Sequence, residues 1–141
     1  MPAKKESADM ERAKKKLGRL ITKCRGDDMS QRQLAAAVGL SPSNMKYIED
    51  GINCPTADVY SRLISALKPP VKVRNDMDQA YMIIRNTPPP DVCNRVKEDP
   101  CLMSVIRSMD DVPLTENQAQ QIITLLKSFA LENSEGEQNN G

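Results

Sequence analysis

Residues 30–51 read SQRQLAAAVGLSPSNMKYIEDG, and this stretch decides the fold. Two helical patterns sit in it, parted by a glycine and a fresh helix start. Ser30 is placed to accept a backbone N–H of the first turn, and Gln33 to reach back and complete a capping box. Leu34 and Val38 stand four apart as an apolar stripe, with Ala35 small enough to admit a close neighbour. Gly39 supplies the left-handed backbone that ends a helix at low steric cost. Ser41 and Pro42 restart the chain as N-cap and first helical residue, where proline's missing donor does no harm. Met45 and Ile48 then face inward, with Leu40 packing just ahead of them. That turns Ser43, Asn44, Lys46 and Tyr47 outward, while Glu49 and Asp50 fill the last turn and Gly51 ends it.

Two helices joined by a tight glycine turn, the second with a polar outer face, make a helix-turn-helix pattern. The stretch resembles the Cro-type, XRE-like helix-turn-helix family of DNA-binding regulators. The residues that carry the likeness are Ser30, Gln31, Leu34, Ala35, Val38, Gly39, Leu40, Ser41, Met45, Ile48, Glu49 and Gly51, followed by Pro55 and Thr56. It covers about Leu17 to Leu67 and does not reach the second half of the chain.

The resemblance implies a lambda-repressor-like five-helix DNA-binding domain, with the second helix of the pair in the major groove. Ser43, Asn44 and Tyr47 then occupy base-reading positions, and Lys46 lies on the same surface, within reach of a guanine edge or a phosphate. Asn and Lys carry the donors that adenine and guanine edges accept. Gln31 is expected to clamp a phosphate or to support the base-reading residues. Arg32, with Lys15 and Arg19 from the basic helix before it, is expected on the phosphate backbone, adding affinity without sequence information. Two departures stand out. Pro42 replaces a side chain that often reads a base in relatives, and Ile52-Asn53-Cys54, preceded by Asp50, stands where many relatives carry basic residues.

The rest of the composition agrees with an all-α chain. Of 141 residues one is Phe, three are Tyr and none is Trp, so the core must be aliphatic and methionine-rich. Ten prolines and a 3.6-residue periodicity without strand alternation predict short helices. No apolar run approaches the roughly 20 residues of a membrane span, and the N-terminus lacks an apolar signal region. A cytoplasmic protein without a membrane partner is expected. The near-neutral total hides an asymmetry: residues 1–70 hold 13 Lys+Arg against 8 Asp+Glu, and residues 71–141 hold 7 against 11. A basic first half suits a DNA-facing part, an acidic second half one turned away from DNA. Cysteines 24, 54, 93 and 101 form no CxxC pair and histidine is absent, so zinc-ligand spacing is missing and no cofactor is expected. With neither a phosphate loop nor a nucleophile elbow, the chain does not read as an enzyme.

In chain order, residues 1–12 read as a flexible basic arm and 13–86 as the DNA-binding domain. Its first firm helix, about Glu11 to Arg25, carries Leu17, Leu20, Ile21 and Cys24 on one face. Later helices are predicted from Thr56 to Lys68 and from about Asp76 to Arg85. Residues 87–90 read as a stiff proline linker, 91–132 as a helical dimerisation region and 133–141 as a disordered tail. The apolar stripe of the last helix is too wide for one short helical hairpin to cover. Val105, Met109, Ile122, Ile123, Leu126 and Phe129 are therefore the expected interface of a homodimer. The function expected is a sequence-specific repressor of phage or mobile-element type on palindromic double-stranded DNA. The alternative is an antitoxin or other interaction module whose C-terminal helices grip a different protein.

Overall fold

Glycine and proline cut the chain into helices, as their backbone limits require. The computed structural model describes the backbone of residues 3–109 and 111–139, and the side chains of 7–109 and 111–135. Among the described residues there are eight α-helices and no strand. They are α1 (Ala3–Arg25), α2 (Gln31–Ala37), α3 (Pro42–Glu49), α4 (Ala57–Leu67), α5 (Val71–Arg85), α6 (Pro90–Glu98), α7 (Pro100–Ser108) and α8 (Glu116–Asn139). None of the described helices is long and apolar enough to cross a membrane. The chain divides into two compact units, residues 1–100 and 101–141.

In the first unit α1 lies against α5 and α3, and α2 packs on α3 and α4. The predicted stripes supply the core. Leu17, Ile21, Leu34, Val38, Met45, Tyr60, Leu63 and Met77 are all but inaccessible, with Leu20, Cys24, Leu40 and Ile64 packed half-buried around them. Side chains of this size contribute about 1.5–3 kcal/mol each when removed from water. Caps fall where the sequence placed them: Ser30 and Gln33 form the reciprocal box, Ser41 Oγ accepts from Asn44 N, and Thr56 Oγ1 accepts from Val59 N.

A contact between backbones sets the spacing of α1 and α3. A Cβ built on Gly18 would lie 2.6 Å from the carbonyl oxygen of Ile48 and closer still to that of Glu49. Only a glycine lets α1 approach the end of α3 so nearly.

Between α4 and α5 the rings of Tyr60 and Tyr81 stack with centroids 4.3 Å apart. Tyr60 Oη donates to Asp78 at 2.6 Å, and Arg74 bridges Asp78 to Asp91 at the start of α6. Burial first, and then the bond to Asp78, push the Tyr60 phenol far above its ordinary value of 10. A phenol that keeps its proton in the fold, but loses it when unfolded, stabilises fully below pH 10 and progressively less above it. Tyr60→Phe is therefore expected to cost about 1–2 kcal/mol at neutral pH. The deficit should hold constant to about pH 9 and shrink from about pH 10 upward, where the parent protein alone loses this contribution. Urea unfolding across that range checks it, and a constant deficit would contradict the assignment.

Four boundaries differ from those predicted, the first being α5, which starts at Val71 directly after Pro70 rather than at about Asp76. The stretch read as an arm is helical from Ala3, because Lys4 to Met10 continue α1 without a breaker. Met1 and Pro2 lie outside the described residues. The proline run does not divide the chain: Pro89 is buried, Pro90 opens α6, and α6 packs on α4, so the boundary falls between Pro100 and Cys101. The α8 helix, opened by the reciprocal Thr115–Gln118 box, runs through most of the expected tail to Asn139, and residues 140–141 lie outside the described residues.

In the second unit α7 and α8 carry long aliphatic side chains, yet no described residue there is buried.

Candidate nucleic-acid interface

Residues 30–51 fold as two helices joined by a tight turn. Val38 caps α2, Gly39 follows at φ +75°, and Leu40 N returns to Ala35 O at 2.8 Å. A side chain at such a φ costs about 1–2 kcal/mol, which is why glycine stands there. Ser41 and Pro42 then start α3, with Met45 and Ile48 buried beneath it.

Above those two residues, Ser43, Asn44, Lys46 and Tyr47 are exposed, Tyr47 with 44% of its surface accessible. Lys46 makes a long ion pair with Asp50 at 3.7 Å; both side chains are exposed, so the pair holds Lys46 only weakly. Arg32 is exposed on α2, and Lys15 and Arg19 are exposed one turn apart on α1. Lys15 is tied to the pair by its backbone: a Cβ on Gly51 would lie 2.7 Å from Lys15 Cα. The end of α3 is thus wedged against α1 just where its basic side begins.

Gln31 sits differently from its neighbours. Its Nε2 donates to Oε2 of Glu49, the last residue of α3, and Arg25 Nε donates to Glu49 Oε1 at 2.7 Å. Arg25 also gives an N–H of its Nη1 to Met29 O at 3.1 Å. The Glu49 carboxylate is 97% shielded and the Arg25 side chain largely so, with 3% and 17% of their surfaces accessible. One buried acid therefore ties the end of α1, the start of α2 and the end of α3. The Gln31 amide is thereby engaged with the end of α3. Sequence analysis gave Arg25 only the end of the first helix and Glu49 only the last turn of its own. A carboxylate is unfavourable at a helix C-terminus, and that oddity was the signal that it has a cationic partner.

The six expected interface residues are all on α7 and α8 or at their ends. Val105 and Leu126 are each 56% accessible, Phe129 46%, Met109 45%, Ile123 42% and Ile122 41%. Ile106, Leu114, Leu125 and Leu131 are exposed with them. The four cysteines are free thiols.

Comparison with models of protein families, with curated proteins and with solved structures finds no match for this chain.

Proposed function

We propose that the chain is a sequence-specific DNA-binding regulator with a lambda-repressor-like first unit, acting as a repressor on a palindromic site as a homodimer. The observation that carries this reading is α3 itself. An eight-residue helix buries Met45 and Ile48, holds its N-terminus with Ser41 and Pro42, and leaves Ser43, Asn44, Lys46 and Tyr47 to solvent. A helix so short gains little from its own hydrogen bonds and is held by its buried face. Its outer face is then free to be chosen for what it binds. Exposed Lys15, Arg19 and Arg32 on the neighbouring helices supply positive charge for phosphates on either side.

Dimerisation is supported by the second unit. A helical pair whose aliphatic side chains are about half accessible is poorly stable in water alone, and a second copy covers like with like. In a two-fold dimer the half-site centres would lie about one helical turn, ~34 Å, apart. Promoter occlusion follows from occupancy of such a site.

Fluorescence anisotropy on DNA from upstream of the chain's own gene, against scrambled DNA over a salt series, tests both points. Saturable preference for the native segment at two chains per duplex is the expected result. Asn44→Ala should lower specific affinity by about 1–3 kcal/mol and leave scrambled DNA nearly unchanged. Lys15→Ala should weaken both DNAs alike and flatten the salt dependence by about one charge. Equal losses from both substitutions, or weak binding indifferent to sequence, would refute the assignment. Mixed complexes with another protein in place of the dimer would favour the antitoxin reading.

A further inference from the structure

We propose that a groove in the first unit, bounded by α1, α3, α4 and α5, binds a small amphipathic anion: an organic carboxylate with an apolar body. The groove encloses about 500 Å³, within the range of small-molecule sites. Leu40, Ile48, Val59 and Ile84 give it aliphatic walls, and Lys14 and Arg85 are its charged residues. Among the described residues no carboxylate lines it.

Arg85 is held without being neutralised. Its Nε and Nη2 donate to the carbonyls of Cys54 and Pro55 at 2.9–3.2 Å, and Nη1 makes no bond to a described residue. Carbonyls fix the plane of the guanidinium but leave its charge. Neither Arg85 nor Lys14 takes part in an ion pair among the described residues. Both cations also act on the Cys54 thiol. Burial pushes the Cys54 thiol up, while Arg85 and then Lys14 pull it back down. Two cations from different helices thus line one groove together with a half-buried sulfur and an aliphatic wall. An anion there gains charge-assisted hydrogen bonds from Nη1 and Nζ, and an attached hydrocarbon removes the wall from water. A bare phosphate, or a phosphate of a nucleic-acid backbone, would use the cations and leave the aliphatic wall unfilled.

Asn44 lines the same groove, so an occupant would touch a side chain proposed to read bases. That regulatory consequence rests on the DNA-binding reading; the binding site does not. The test accordingly uses the full chain without DNA, by calorimetric titration with octanoate, 1-octanol and inorganic phosphate. Octanoate should bind one per chain and more tightly than either control. Lys14→Gln should weaken octanoate about tenfold, while Lys72→Gln, on the exposed start of α5, should not change it. Bound octanoate should also slow alkylation of Cys54 by iodoacetamide, read by peptide mass spectrometry. Octanol binding as tightly as octanoate would overturn the proposal, as would Lys14→Gln without effect. Phosphate binding where octanoate does not would assign the groove to a phosphate instead.

Discussion

Gly18→Val is expected to leave the first unit largely unfolded, and Gly18→Ala to lower its stability by about 2–3 kcal/mol. Two effects oppose each other in the alanine variant. Alanine in a helix interior is favoured over glycine by roughly 1 kcal/mol. Against that, its Cβ would stand 2.6 Å from the carbonyl of Ile48, with the Glu49 carbonyl nearer still. Ordinary contact needs close to a further ångström, and the obstacle is backbone, so no rotamer change relieves it. The end of α3 must move away from α1, which opens the packing around Leu17, Ile21, Met45 and Ile48. Sterics therefore wins for alanine and wins heavily for valine, against a total stability of about 5–15 kcal/mol. In thermal unfolding, Gly18→Ala should melt more than about 10 °C below the parent. An alanine variant as stable as the parent would mean that propensity prevails and the helices are not in backbone contact.

The local grammar of residues 30–67 was legible because capping and turn chemistry are written in single residues. Ser30, Gln33, Gly39, Ser41, Pro42 and Thr56 each have one physical task, and each performs it. The stripe of Leu17, Ile21, Leu34, Val38, Met45 and Ile48 gave the inner faces, and with them the outer face of α3. Properties that depend on two distant segments were not legible. Gly18 looks like a weak point in a helix until Ile48 and Glu49 are seen across from it. The prolines at 88–90 read as a spacer because the sequence cannot say that Pro89 finds a buried place, or that Arg74 reaches Asp91. Breakers end helices dependably; whether they also end domains depends on what packs beyond them. The same limit applies to the groove, whose cations come from positions 14 and 85 and meet only through the fold.

Glu49→Ala should cost about 3–5 kcal/mol, the usual penalty for removing one member of a buried ion pair. The loss is larger than that of the bonds themselves, since Arg25 keeps its charge in a site with 17% accessibility and Gln31 loses the acceptor of its amide. Glu49→Gln should cost less, because its amide oxygen still accepts from Arg25, while its NH2 obliges the Gln31 amide to turn over and present its oxygen. The decisive variant is Arg25→Met with Glu49→Leu. Replacing both ions by apolar groups of similar size removes the desolvation penalty together with the attraction, and should return most of the lost stability. In a double-mutant cycle the pair should therefore show a coupling of at least about 3 kcal/mol. The double variant nevertheless frees Gln31, and with it the tie between the start of α2 and the end of α3. If α3 reads DNA, the double variant should keep its fold and its affinity for scrambled DNA, yet discriminate less well between native and scrambled sequences. Unaltered discrimination would make Glu49 a stabilising residue only; full stability with lost discrimination would show that its place in the fold is to hold the reading helix in register.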